Sequence, residues 1–257
     1  MSCDHSGIDS LNNPAELSNA GSNLIKSHHG RNYAISFDGV SDYLVVAHDE
    51  SLNMTDGFTI SARIYIREYV EWASIVTKGG VPGNQIGTNN YTLHQSGPDG
   101  GGPELYETEP GYIRFTGDGS AASGTSPESN TVLSLNTWHH ITATYDGNTL
   151  RYYLNGVPNG EHITGGPLNP NGDPLYIGID PPGDDEYWNG MLDEIKIWNR
   201  PLNRGQIRAA LRGSATPVAS ALAAYWSFND GTGDTAHDRS RNNNHARLVG
   251  SPTWVLP

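Results

Sequence analysis

Between Phe58 and Ile66 apolar and polar side chains alternate without a break. Phe58, Ile60, Ala62, Ile64 and Ile66 fall on one side, Thr59, Ser61, Arg63 and Tyr65 on the other. Successive side chains of a strand point to opposite faces, so this period of two describes a strand with one buried and one wet face. Such a strand needs neighbours in a sheet and a second layer over its apolar side.

The rest of the chain supplies both. Short apolar runs at Ala34–Phe37, Tyr43–Ala47, Ala73–Thr77, Tyr91–His94, Tyr112–Thr116, Trp138–Tyr145, Leu150–Leu154, Leu175–Ile179, Met191–Trp198, Leu222–Phe228 and Thr253–Val255 read as further strands. Asp38-Gly39, Asp146-Gly147-Asn148 and Asn155-Gly156 punctuate them as turns. One segment reads as helix, residues 201–212, with Pro201 early, Ile207, Ala210 and Leu211 at helical spacing, and Gly213 as a stop. The chain is therefore expected to be all-β, an antiparallel sandwich of two curved sheets with one short helix. Gly79–Asn90 and Gly97–Gly111 read as long Gly-rich loops at one rim, and residues 1–32 as a partly disordered or extended lead-in.

Charge narrows the function classes. Twenty-eight Asp and Glu against 15 Lys and Arg give a net charge of −13, so there is no positive field to displace counterions from nucleic acid. Carboxylates in such excess suit metal cations instead. A single cysteine, Cys3, excludes an internal disulfide framework and a cysteine-based zinc site. No apolar run reaches 18 residues, so no membrane insertion is expected, and Met1-Ser2-Cys3-Asp4 lacks the pattern of a secretory signal.

Several of these strands carry motifs. Residues 37–46 (Phe37-Asp38-Gly39 through Val46), Phe58-Thr59-Ile60-Ser61-Ala62, Trp138-His139-His140-Ile141 with Tyr145-Asp146-Gly147, and Leu175-Tyr176-Ile177-Gly178 occur in order, followed by residues 190–202 (Gly190-Met191-Leu192-Asp193-Glu194 through Leu202). Together they resemble the laminin-G-like, concanavalin A-like jelly-roll domains, a group that includes pentraxins, lectins, carbohydrate-binding modules and polysaccharide-active enzymes. The resemblance covers residues 34 to about 212 and implies the fold, not the function. Tyr225-Trp226-Ser227-Phe228 with Asn229-Asp230-Gly231 resembles the first strand of that family, which ordinarily precedes the Phe-Asp-Gly motif. The order here implies a circular permutation, residues 33–257 forming one domain that 222–257 folds back to complete. The alternative is that 222–257 begins another domain.

Alternation along Met191–Trp198 places Met191, Asp193, Ile195 and Ile197 on one face, so Asp193 is expected to point inward, where a carboxylate needs a cation or several donors. The resemblance implies a structural Ca2+ at Asp193, with oxygens from Asp38, Gly39 or the Asp230 turn. Satisfaction by backbone N–H groups or an arginine is the other reading. Asn89, Asn90 and Asp180 resemble in position the ligand-bridging calcium set of pentraxins, although Pro181-Pro182 interrupts that pattern, and a solvated acidic loop is the alternative.

The wet face offers Arg63, Tyr65 and Arg67 on one strand, His140 on a second, and Arg151 and Tyr153 on a third. Planar donors and rings of this kind recognise hydroxylated or acidic saccharides. The carboxylate strand of laminarinase-type relatives and the Gln-x-His and Tyr-x-Lys strands of alginate-lyase-type relatives have no counterpart here. The nearest acidic cluster, Glu104, Glu107 and Glu109, lies in a proline-framed loop, and no nucleophile elbow, zinc helix or phosphate loop occurs. The sequence thus points to a non-catalytic extracellular or cell-surface recognition module, calcium-stabilised and carbohydrate-binding, with a cell-surface glycan as partner. A protein-binding adhesion, structural or virion module and a divergent polysaccharide hydrolase or lyase are the alternatives. Asn53-Met54-Thr55 and Asn90-Tyr91-Thr92 also match the glycosylation sequon.

Overall fold

The alternating strand lies near the centre of the larger of two antiparallel sheets. The computed structural model describes residues 32–81, 84–96, 110–117, 127–181, 186–212 and 218–257. In chain order the strands are β1 (Ala34–Asp38), β2 (Tyr43–Val46), β3 (Phe58–Ile66), β4 (Ser74–Val81), β5 (Asn84–Gln95), β6 (Ile113–Gly117), β7 (Trp138–Tyr145) and β8 (Thr149–Leu154). They continue with β9 (Val157–Ile163), β10 (Leu175–Ile177), β11 (Asn189–Trp198), β12 (Leu222–Trp226), β13 (Thr235–Ala236), β14 (Ala246–Val249) and β15 (Thr253–Val255). The first sheet runs β15-β1-β11-β3-β7-β8-β9, with β12 added beside β11; the second runs β13-β14-β2-β10-β4-β5-β6.

The inward residues of β3 are fully buried and meet Leu44, Val76, Leu93, Phe115 and Ile177 from the opposite sheet. Phe58 stacks on Phe115 at 4.9 Å, an offset-ring geometry that adds to the area it buries. The helix α1 (Arg204–Leu211) begins after Pro201. Asn203 accepts from Gln206 N and the Gln206 side chain accepts from Asn203 N, a reciprocal cap that fixes its start. Its apolar side packs on Trp198 with Leu202, Ile207 and Leu222, forming a second, smaller apolar cluster.

The C-terminal strands pair with the strands that carry the sequence motifs. Ile195 faces Trp226, Val45 faces Arg247, and Ile35 faces Trp254. Trp226 and Phe228 lie in the main core, and Trp226 Nε1 donates to Asn244 O at 2.8 Å. Just after Phe228, Asn229 Oδ1 accepts from Tyr33 N at 2.8 Å.

Three expectations change. β11 does not alternate straight through. Asp193 faces Arg63 and Lys196 faces Ser61, three steps on β11 against two on β3, so one extra residue, Glu194 at φ 52°, forms a bulge. The bulge reverses the phase: Leu192 points into the core before it, Ile195 and Ile197 after it, and Asp193 shares the outer face with Arg63. The stretch 79–90 is largely strand, β5 beginning at Asn84, whereas most of Gly97–Gly111 lies outside the described residues, as does the lead-in before residue 32. β9 has no apolar signature because it is an exposed edge strand containing Pro158 and Gly160, held by its pairing with β8.

Candidate functional site

The six residues expected to bind a saccharide do share the outer face of the first sheet, but that face is largely closed. Arg63 Nη1 donates to Asp193 Oδ2 at 3.1 Å, and its guanidinium lies 4.1 Å above the Trp138 ring, which also packs against Tyr65 at 5.5 Å. Arg67 is exposed, yet its guanidinium is spent on Ser36 Oγ at 2.7 Å, Phe37 O at 3.1 Å and Gly190 O at 3.3 Å. His140 is buried against Ser61 Oγ at 3.2 Å. Burial, then the charges of Lys196 and Arg63, push its pKa down to about 3, so the ring is neutral. Tyr153 packs against the helix cluster, and Arg151 is held by Asp146 and Glu161. Tyr65, Trp138 and Met191 at one end of the face, and Arg63, Arg151 and Tyr153 elsewhere on it, are half-buried. Each arginine of this face therefore has an intramolecular partner, Arg63 on Asp193, Arg67 on Ser36, Phe37 O and Gly190 O, and Arg151 on Asp146 and Glu161.

The expected calcium ligands separate in the same way. Asp38 is a turn residue: Oδ1 accepts from Val40 N and Ser41 N at 2.9 Å and from Asp42 N at 3.1 Å, while Gly39 takes φ +75°. Asp230 pairs with Arg239 at 2.6 Å and His237 at 3.1 Å. Asp193 is fully buried, with Oδ2 on Arg63 and Oδ1 accepting Glu194 N at 2.8 Å. Burial, with Glu194 adding to it and Arg63 opposing, pushes its carboxyl up to about 7. Asp38 faces Asn189 on β11, four residues from Asp193, which at strand rise is about 13 Å. The structural calcium set implied at Asp193 therefore does not fit, since an arginine and a backbone N–H already satisfy that carboxylate. Asn90 is fully buried and bridges Met54 N, Met54 O and Asn169 O, which removes it both as a metal ligand and as an exposed glycosylation acceptor.

Asn89 and Asp180, in contrast, are brought together on the outer face of the second sheet. Asp180 Oδ1 accepts from Thr77 Oγ1 at 3.2 Å and from Asn89 Nδ2 at 3.3 Å, and Asn89 also donates to Thr92 Oγ1 at 3.1 Å. Burial and the neighbouring Glu186 hold the Asp180 carboxyl well above the usual carboxylate range. The remaining amide oxygen, Asn89 Oδ1, is buried without a partner. A Cβ on Gly80 would lie 2.3 Å from Pro181 O and 3.2 Å from that same Asn89 oxygen, so the bare glycine leaves room where two oxygens converge. Carboxylate, amide and carbonyl oxygens in loose arrangement are the donors calcium accepts, and here the residues fit it. Among the described residues no three His, Cys, Asp or Glu converge on a metal position.

The same face carries rings, and one of them, Tyr176, is paired across strands with Thr77, whose hydroxyl bonds Asp180. Tyr43 lies 6.2 Å from Tyr176 and 6.4 Å from Tyr187, and Trp72 stacks on His94 at 4.7 Å. Across the sheet Val45, Tyr176, Thr77, Thr92 and Thr116 are in register on neighbouring strands, so one row places a tyrosine next to three hydroxyls. Arg114 Nε donates to Glu128 Oε1 at 2.6 Å, and His94 Nε2 lies 3.1 Å from Thr116 Oγ1. Burial pushes His94 down to about 3, leaving a neutral ring under the indole. Trp72 adopts φ 60°, a strained conformation for a bulky side chain, which the stack on His94 accompanies. Tyr43 and Tyr176 were legible as the outward positions of Tyr43-Leu44-Val45-Val46 and Leu175-Tyr176-Ile177.

Comparison with known proteins bears on this arrangement. No curated protein sequence matches the chain. Among solved structures, a candidate carbohydrate-binding protein from Bacteroides ovatus superposes with a TM-score of 0.65 at 19% identity; the match covers 89% of this chain and 60% of that protein, so this chain spans less than two thirds of its length. A heptameric pentraxin from Limulus polyphemus matches at TM-score 0.50 and 18% identity, covering 70% of this chain and 82% of that one. The fourth domain of an extracellular arabinanase from Geobacillus stearothermophilus, solved with arabinotriose, matches at TM-score 0.50 and 13% identity, over 69% and 76% of the two chains. At these identities the likenesses establish the fold. The family model described as the concanavalin A-like lectin/glucanases superfamily matches residues 38–208, and this chain, an antiparallel jelly-roll sandwich, belongs to that superfamily.

Proposed function

We propose that the chain is a non-catalytic carbohydrate-recognition module, acting outside the cell or at its surface, that binds glycan on the outer face of its second sheet with the help of calcium. The observation that carries the reading is that Tyr176, which lies against Tyr43, is paired across strands with Thr77, whose hydroxyl bonds Asp180, while Tyr187 is bridged to Ile179, the residue before Asp180. Tyrosine rings offer apolar faces to sugar C–H groups, while hydroxyls and amides orient the sugar oxygens. Calcium, when bound, supplies a cation to which vicinal hydroxyls coordinate. Asp180 and Asn89 would hold it, and Thr77 would orient Asp180. The carbohydrate-binding descriptions of the Bacteroides and arabinanase relatives support the ligand class.

On the same reading, residues 33–257 form one domain whose opening strand lies at the C-terminal end of the sequence, a circular permutation supported by the pairing of β12 with β11 and of β14 with β2. A glycan array probed with and without EDTA tests the function. Binding to a defined glycan set that EDTA abolishes is expected. An array without signal, alongside capture of a specific protein ligand, would replace the reading with an adhesion module. Released oligosaccharide products, seen by mass spectrometry, would replace it with an enzyme.

A further inference from the structure

At the far edge of the first sheet, β8 and β9 frame a cleft of about 380 Å³, within the size range of small-ligand sites. Its lining includes Asn130, Arg151, Tyr153, Pro158, Gly160 and Glu161. Register builds it: Arg151 faces Glu161 and Tyr153 faces Pro158, so two steps on β8 oppose three on β9. Gly160, at φ +130°, lies within this irregularity. A Cβ there would come within 3.3 Å of both Asn130 Oδ1 and Glu128 O, so the glycine lets residues 128–130 close against β9 as one wall. Asn130 N donates to Asn159 O at 2.8 Å, and Thr131 Oγ1 donates to Asn159 Oδ1 at 2.6 Å, which fixes that wall.

The polar groups are held in advance. Arg151 Nη1 donates to Asp146 Oδ2 at 2.6 Å and Nε to Glu161 Oε2 at 2.9 Å. The guanidinium side chain keeps 33% of its surface and Glu161 keeps 63%, so both still present polar atoms to solvent at the cleft. Beside them lie the Tyr153 and Pro158 rings, an apolar surface next to a planar donor and a planar acceptor. Neighbouring hydroxyls of a sugar ring match that combination, one donating to a carboxylate and the next accepting from a guanidinium, while the sugar's C–H face rests on the rings.

The charge selects among sugars. One arginine against Asp146 and Glu161 leaves the cluster at −1, inside a chain of −13, so an anionic sugar would meet like charge. We propose that the β8–β9 cleft is a second saccharide subsite, taking one residue of a neutral glycan and independent of calcium. The proposal rests on the carbohydrate-recognition reading, but it concerns the opposite sheet and separate side chains.

The test is a glycan array printed with neutral and uronate-containing oligosaccharides. The full chain is compared with Glu161→Gln and Asn130→Ala, altered in the cleft, and with Tyr187→Ala, altered on the second sheet. Matching melting curves certify the fold of each variant. Expected is a subset of neutral glycans whose binding survives EDTA and Tyr187→Ala but falls about tenfold or more in Glu161→Gln, the scale of one charge-assisted hydrogen bond, with a smaller fall in Asn130→Ala. Binding that neither cleft variant changes overturns the subsite and leaves the second-sheet reading standing. Cleft-dependent binding confined to uronates overturns the neutral-sugar assignment. An array on which the unaltered chain binds nothing overturns both readings.

Discussion

Replacing Arg63 by methionine tests why Asp193 is tolerated in a fully buried position. Methionine keeps most of the apolar stem and removes the guanidinium that lies 3.1 Å from Asp193 Oδ2 and 4.1 Å from the Trp138 ring centre. Removing one partner of a buried ion pair leaves the other charge without compensation, unless that group takes up a proton. The lost cation–π contact adds about 0.5–1 kcal/mol that does not depend on pH. The ionic part does depend on it. Asp193 has its folded pKa pushed up to about 7, above the ordinary value of 3.8, so the folded state holds this proton more tightly than the unfolded chain does. The associated stability is fully present below about pH 4 and is lost as pH rises through about 7. Without Arg63 the folded pKa rises further, and Asp193 at pH 5 is neutral and needs no cation. One pH unit above a folded pKa of about 7 is worth about 1.4 kcal/mol, so urea unfolding of both proteins should give a destabilisation of about 2 kcal/mol at pH 8 and about 1 kcal/mol or less at pH 5. Adding Asp193→Asn to Arg63→Met should remove most of the pH dependence. Equal losses at the two pH values, or a loss below about 1 kcal/mol at pH 8, would refute the claim that Arg63 serves as the counter-ion of Asp193.

The remaining predictions concern calcium, chain order and close packing. Calcium at a hundredfold excess over Kd should stabilise the fold by about 2.7 kcal/mol, raising Tm by roughly 5–10 °C, and Asp180→Asn should abolish the shift while Asp193→Asn leaves it in place. Melting curves that superimpose with calcium and with EDTA would contradict this. Deleting residues 222–257 removes Trp226 and Phe228 from the main core and uncovers the edge of β11, so the truncated chain should be insoluble or unfolded by circular dichroism. A soluble truncation with unchanged Tm would mean that those strands do not complete this domain. Gly190→Ala would place a methyl group 2.0 Å from Tyr65 O, so the β11–β3 pairing must open there, and a stability loss above about 2 kcal/mol is expected from chemical denaturation.

The sequence carried the architecture well where burial alone decides the pattern. β3 shows its alternation because one side faces the core along its whole length, and α1 shows its start through the Asn203 and Gln206 cap. The side to which Asp193 points was not legible, because the bulge at Glu194 contains neither glycine nor proline and becomes visible only when β11 is laid against β3. The partners of the arginines on the first sheet were hidden for a related reason. Arg63, Arg67 and Arg151 look unpaired in one dimension, and their partners Asp193, Phe37 O and Glu161 lie 130, 30 and 10 residues away. Strand pairing with β1 and β11 brings the first two within reach. On the second sheet, Asn89 and Asp180 are 91 residues apart, and position within the family resemblance suggested the pair. The approach of Tyr43 to Tyr176 depends on β2 and β10 being neighbours, which local propensity does not encode.

The measurement closest to the central claim is a crystal structure of the chain soaked with calcium and the strongest glycan from the array. The account predicts sugar density against the Tyr43, Tyr176 and Tyr187 rings, with a cation among Asp180, Asn89 and Pro181 O. Glycan seated only over Arg63 and Tyr65 on the first sheet, with none on the tyrosine face, would contradict it.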